Sequence, residues 1–234
     1  MTASPGTPRP YLSGHAALRG LAAIAVFLAH LEITHLWPPG PETFWTAAYD
    51  RLFFWHGEGV DLFFVLSGFI LFYVHPPRQN GIWRDYFTAR IGKIYPFYLA
   101  ATLFTAAMFV IGSLRKHEPP FSNLELSVFL ANLAGVQQWT FAGDNWNSIN
   151  LPSWSISVEL LLYITAWPLL RLLFRACPVN RLVALGICVG LLAAASWIHV
   201  YAADGTERLL ASPMSLLRGF VCFTAGAFLY MALY

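Results

Sequence analysis

The sequence predicts an all-α, polytopic transmembrane helix bundle, and three observations carry that expectation. Of 234 residues, 57% are hydrophobic and only 11% are charged, with a mean hydropathy of +0.56, far to the apolar side of an average soluble domain. Six apolar segments, near residues 15–36, 58–76, 92–113, 154–174, 182–201 and 213–234, are long enough to cross ~30 Å of hydrocarbon. The Lys and Arg residues between them concentrate in alternate loops, as the positive-inside rule requires. A net charge of +2 is too slight to suggest nucleic acid, so the expected medium is a lipid bilayer. Cys177, Cys188 and Cys222 are odd in number, show no paired ligand spacing and read as packing residues.

Residues 1–12 are rich in Pro, Ser and Thr and form an N-terminal tail, expected to be cytoplasmic; residues 13–234 form one membrane domain. In the first segment the uncharged run Leu21 to Ala29 has the length of a signal-peptide core, but more apolar helices follow and no small-x-small cleavage site leads into a soluble domain. Arg19 and His30 lie eleven residues apart, three turns at ~3.6 residues each, and so share one face. The second segment carries Asp61 near its start and Ser67-Gly68 in its middle. Arg84, Arg90 and Lys93 crowd the approach to the third. Residues 123–139 are apolar yet hold Glu125, Asn132, Gln137 and Gln138, which predicts a re-entrant or interfacial segment. The fourth span starts after Pro152 and Ser153 and places Ser155, Glu159 and Tyr163 on one face at four-residue steps. Arg218 lies in the last. With six spans and a cytoplasmic N-terminus, Arg78, Arg84, Arg90, Lys93, Arg171, Arg175 and Arg181 all fall inside; a seventh span would move the last three outside.

Four motifs, in order, resemble the membrane acyltransferase 3 family: Leu18-Arg19-Gly20-Leu21 through His30, Gly59 to Phe69, Arg90-x-x-Lys93-Ile94-x-Pro96, and Trp154-Ser155-x-Ser157-Val158-Glu159. The resemblance extends to Arg218-Gly219-Phe220 and Gly226 and covers most of the chain. It implies an O-acyltransferase of the bacterial inner membrane that takes an acyl group, acetyl foremost, from cytoplasmic acyl-CoA to a hydroxyl of a glycan or lipid-linked sugar. Acyl-CoA is then a co-substrate, and no bound cofactor is implied. His30 with Glu159 as its acidic partner is the implied catalytic pair. Arg19, Arg84, Arg90 and Lys93 are the implied donor-binding residues, supported by Asp61, Ser67, Gly68, Trp154, Ser155 and Arg218. Family members continue for several more transmembrane helices, so the resemblance also implies an N-terminal part, a split gene or a shortened variant, with a partner chain as one source of the missing helices.

The same residues carry chemistry without the family. A cation and an imidazole inside a bilayer are costly, which marks Arg19 and His30 as functional candidates. His30 lies ~16 Å beyond Arg19, roughly half the hydrocarbon thickness, where a neutral imidazole can act as general base and then general acid; the alternative is a satisfied core histidine. Glu159 is expected to meet His30 and orient it, as a buried Asp does in hydrolase triads, or else to pair with Arg218. Asp61 either bonds the acceptor or caps its helix. Ser67-Gly68 permits close helix packing or passage of a thin acyl-pantetheine arm, and no nucleophile elbow surrounds Ser67. Guanidinium forks match the phosphates of coenzyme A, although basic inner loops also serve topology or anionic lipid. No metal site is expected, since no helix carries ligand spacing. Trp37, Trp45, Trp55, Trp139 and Trp146 suit sugar stacking or an interfacial belt. The competing reading is a transporter-like protein or inactive subunit whose buried His, Arg and Glu line a solute or proton path, against which stands the lack of two-half symmetry.

Overall fold

The computed structural model describes residues 12–33, 58–78, 83–117, 126–139, 149–202 and 212–234. The N-terminal tail up to residue 11 and Trp37, Trp45, Trp55 and Trp146 lie outside the described residues. Within them the regular structure is all helical: α1 Ser13–Ile33, α2 Glu58–Val74, α3 Trp83–Lys116, α4 Leu126–Ala134, a 3-10 turn Leu151–Ser153, α5 Trp154–Ile164, α6 Ala166–Ala176, α7 Arg181–Ala202 and α8 Ser212–Leu233. The described part of each of the six apolar segments is helical, the fourth as two consecutive helices. Among the described residues, Arg84–Lys116, Trp154–Ala176, Arg181–Ile198 and Pro213–Leu233 are long and apolar enough to cross a membrane, and Ser13–Leu28 and Gly59–Val74 add shorter apolar helices. The chain is an integral membrane protein built as a helical bundle.

The centre of the bundle is the α2–α8 pair. An ideal Cβ on Gly68 would stand 2.0 Å from the Phe223 carbonyl oxygen, and one on Gly226 would stand 1.9 Å from that of Val65, so the two backbones touch where both helices lack side chains. The tight-packing reading of Ser67-Gly68 is the one the structure adopts. Helix α5 lies across this pair, with Gly219 facing Val158, and α1 packs on the other flank of α2, with Gly59 against Val26 and Ala22. Large apolar side chains on α3 and α7, among them Phe97, Phe104, Leu182 and Val189, point outward, as lipid-facing helices require. Asn180 opens α7, its Oδ1 accepting the Leu182 N–H at 2.8 Å.

Two elements differ from the sequence reading. Helix α3 starts at Trp83 rather than near residue 92, because Tyr86 is fully buried and stacks on Trp167 at 3.6 Å between ring centroids, which gives the extra turns an apolar anchor. Arg84, Arg90 and Lys93 therefore ride on a helix instead of a loop. The span 154–174 is two helices broken at Thr165; Pro168 has no N–H for the Ile164 carbonyl, so the ladder is interrupted one turn before it. In the stretch 123–139 the described residues, 126–139, hold the nine-residue α4, ~14 Å long and too short to span, in agreement with the sequence reading. Gly135 closes that helix at φ 72°, a conformation glycine adopts without strain.

Candidate functional site

The bundle has a basic end, where α1 begins and where α2 meets α3, and an opposite end, where α2, α5 and α8 begin. Near the opposite end, Arg218 of α8 donates from Nη2 to Asp61 Oδ1 of α2 at 3.0 Å, and its guanidinium lies 5.9 Å from the centroid of the Trp154 ring. Arg218 and Asp61 are 1% and 8% exposed. The cation expected as an alternative partner for Glu159 is thus held by Asp61, and Asp61 serves as its counter-ion. Removing one member of a buried pair strands the other charge, which costs far more than replacing both. Asp61→Ala should destabilise the folded chain by ~3 kcal/mol, while Asp61→Leu combined with Arg218→Met recovers most of that loss. Denaturant unfolding in detergent decides it; equal stability of the single and double variants would remove the ion pair from the account.

One layer deeper lies Glu159. The Ser67 hydroxyl of α2 donates to its Oε1 at 2.6 Å, and the Tyr163 hydroxyl, one turn along α5, donates to the same oxygen. Ser67 and Tyr163 are 1% and 5% exposed. Tyr86 of α3 donates to the Tyr163 carbonyl at 3.3 Å, which ties α3 to this layer. Ser155 shares the helix face by spacing, yet its hydroxyl turns back to the Pro152 carbonyl at 3.1 Å. Two hydroxyl donors from two helices fix the orientation of this carboxyl group.

His30 occupies a different level. Its Nδ1 donates to the Val26 carbonyl at 2.7 Å; a carbonyl only accepts, so Nδ1 carries the proton and Nε2 is the basic nitrogen of the neutral ring. Val26 packs against Gly59 at the start of α2, whereas Glu159 bonds Ser67, past the midpoint of α2. At ~1.5 Å per residue the two levels are about 12 Å apart along α2, too far for the expected His30–Glu159 contact. The reason is tertiary: α5 begins beneath the 3-10 turn, and α1 runs antiparallel to α2, so that the end of α1 that carries His30 lies at the start of α2. Arg19 is nearer in level to Glu159, with its guanidinium 5.6 Å from the Phe63 ring centroid. His15, one turn earlier, donates from Nε2 to the Leu66 carbonyl at 3.2 Å.

At the basic end the structure ranks the cations. Arg84 and Lys93 are exposed, whereas Arg90 is partly buried and acts electrostatically on His75, Tyr86 and Tyr163. Arg171, which the sequence reading counted among loop charges, is 1% exposed. Its Nη1 donates to the Pro76 carbonyl at 3.1 Å, and its guanidinium lies 5.3 Å from the Trp167 ring centroid. His75 packs edge-on against both Tyr86 and Trp167. The signal for Arg171 was its position in the middle of an apolar segment, which the positive-inside rule absorbed as topology.

The turn after α4 fills the opposite end with buried amides. Gln137 donates from Nε2 to the Ser153 hydroxyl at 3.1 Å, Asn132 Oδ1 accepts from the Ile149 N–H at 2.9 Å, and Trp139 Nε1 donates to the Ser157 carbonyl at 2.9 Å. Tyr98 of α3 donates to the Asn132 carbonyl. These bonds satisfy Asn132 and Gln137, two of the polar groups that made residues 123–139 unsuitable as a span, and they hold the turn that starts α5. Among the described residues, no three His, Cys, Asp or Glu side chains come together as a metal site.

A family model described as an acyltransferase domain matches residues 16–234, which takes in His30, Asp61, Arg90, Glu159 and Arg218. Acyltransferase MdmB of Streptomyces mycarofaciens is 32% identical over 173 residues, 74% of this chain and 42% of that protein. Peptidoglycan O-acetyltransferase OatA of Listeria monocytogenes is 29% identical over 212 residues, 85% of this chain and 30% of that protein. The chain thus spans less than half the length of these curated relatives. No solved structure matches.

Proposed function

The chain belongs to the acyltransferase family whose domain model matches residues 16–234, and from that premise we propose that it transfers an acyl group, acetyl foremost, from cytoplasmic acyl-CoA to a hydroxyl of a glycan or lipid-linked sugar. The observation that carries this reading is the family match across the whole membrane domain, together with relatives named as an acyltransferase and a peptidoglycan O-acetyltransferase. Both relatives are bacterial, which supports placement in a bacterial inner membrane. The basic end is then cytoplasmic, in keeping with the positive-inside rule.

In this arrangement the donor binds at the basic end. Arg90 is the phosphate ligand of first rank, because it alone among Arg84, Arg90 and Lys93 turns partly into the bundle; Arg19 lies on the same path. Glu159 is an acid–base group at mid-depth. His30, nearer the opposite end, takes the proton of the acceptor hydroxyl on Nε2 as that oxygen attacks the thioester carbonyl, and the sulfur leaves as the thiolate. Donor and acceptor thus approach from opposite sides, which suits an acceptor that faces outward.

The test is release of free thiol from acetyl-CoA by the purified chain in nanodiscs, with a panel of glycan acceptors and with water alone. Acceptor-dependent release supports the reading; no release with any acceptor, despite a folded chain, favours the transporter-like or inactive-subunit alternative. In the active chain, Arg90→Ala should raise the acetyl-CoA KM about ten-fold with kcat little changed, since a phosphate contact remote from the reacting carbonyl contributes uniform binding. A pure kcat defect would contradict the phosphate role.

A further inference from the structure

Glu159 lies between α5 and α2, and the way it is held is specific. Both of its hydroxyl donors converge on Oε1, one from α2 and one from its own helix. Among the described residues Oε2 accepts no hydrogen bond, so the carboxylate is anchored by one oxygen and open at the other. Ser67 is itself fixed by its neighbour, because Gly68 sits against the α8 backbone at Phe223. The donor on α2 therefore cannot drift from α5 without disturbing the tightest helix contact in the bundle. Tyr163 is fixed as well, with its backbone carbonyl bonded to Tyr86 and its ring edge-on to Phe223.

We propose that Ser67 and Tyr163 are positioning residues: their two hydroxyls hold Glu159 in one orientation by Oε1 and leave Oε2 as the oxygen available to the transfer reaction. Ser67 is not needed as a nucleophile, since its hydroxyl proton is committed to Oε1. The proposal rests on the reading of Glu159 as an acid–base group. Other charged or titratable groups facing this layer are Arg90 and Tyr86 from α3, with the Asp61–Arg218 pair of α2 and α8 one layer away. Tyr163→Phe and Ser67→Ala leave all of these in place, so a change in Glu159 reports the lost hydroxyl.

The experiment follows the hydrogen bonding of Glu159 directly, by infrared difference spectroscopy of its carboxyl band in nanodiscs, with Glu159→Gln assigning the band. Each hydroxyl removed should shift that band, because a hydrogen bond to Oε1 is lost. Ser67→Thr restores the hydroxyl and should return the band toward its original position. Bands of Tyr163→Phe and Ser67→Ala that coincide with that of the unaltered chain would overturn the proposal. In the thiol-release assay both variants should lower kcat while the acetyl-CoA KM stays unchanged. An unaltered chain without acyl transfer sinks the functional reading even where the infrared bands shift. An active chain with coincident bands sinks only the positioning role.

Discussion

His30→Ala is expected to lower acyl transfer by about 10²- to 10⁴-fold, the usual range for loss of a general base, with the folded chain as stable as before. The chemistry follows from one bond. With Nδ1 donating to the Val26 carbonyl at 2.7 Å, the neutral imidazole is held in the tautomer whose Nε2 accepts a proton. Alanine removes the base and its orientation together. The stability expectation rests on exposure: the side chain is only partly buried, so the cost stays within the few tenths of a kcal/mol usual for such sites. Thiol release with a saturating acceptor, beside a thermal unfolding curve in the same nanodiscs, separates the two effects. Turnover within a few-fold of the unaltered chain would take His30 out of the mechanism.

Gly226→Val is expected to cost about 4 kcal/mol or more and to prevent α2 and α8 from pairing in their present register. A first side-chain atom at residue 226 would stand 1.9 Å from the Val65 carbonyl oxygen and 2.9 Å from the Phe69 nitrogen. Both are backbone atoms of a helix, so no rotamer change relieves the clash, and the helices must separate along their whole contact. Ordinary overpacking of a core costs 1–3 kcal/mol because side chains can shift; here only the backbone can yield, which places the effect at the exceptional end of single substitutions. Separation would also draw Ser67 from Glu159 and Asp61 from Arg218, since all four residues sit on helices that this contact aligns. Denaturant unfolding in micelles should show the lowered stability. A midpoint equal to that of the unaltered chain would mean that the close approach is dispensable.

The helical membrane bundle was legible in the sequence because a bilayer enforces it locally. An apolar run of about 20 residues must satisfy its own backbone and can do so only as a helix, whatever its neighbours are. The short re-entrant stretch was legible for the complementary reason: Asn132, Gln137 and Gln138 need partners that lipid does not supply. The residues of the site were legible as types out of place, an Arg and a His in α1, acids in α2 and α5, and an Arg in α8.

Their partnerships were not legible. Helix spacing placed Tyr163 beside Glu159, since that relation lies within one helix, but not Ser67 beside Glu159, Asp61 on Arg218, or Arg171 beneath the α2–α3 turn, since each joins residues far apart in the chain. The expected meeting of His30 with Glu159 failed on depth: where α5 begins along the bundle depends on the buried turn above it, and no property of α5 encodes that. Sequence alone determined which residues are helical, apolar and chemically costly, because those are properties of single segments in lipid. Only the tertiary structure decided which charge neutralises which and at what depth each stands, because these follow from the relative heights of helices, set at contacts such as Gly68 on Phe223 and Gly226 on Val65.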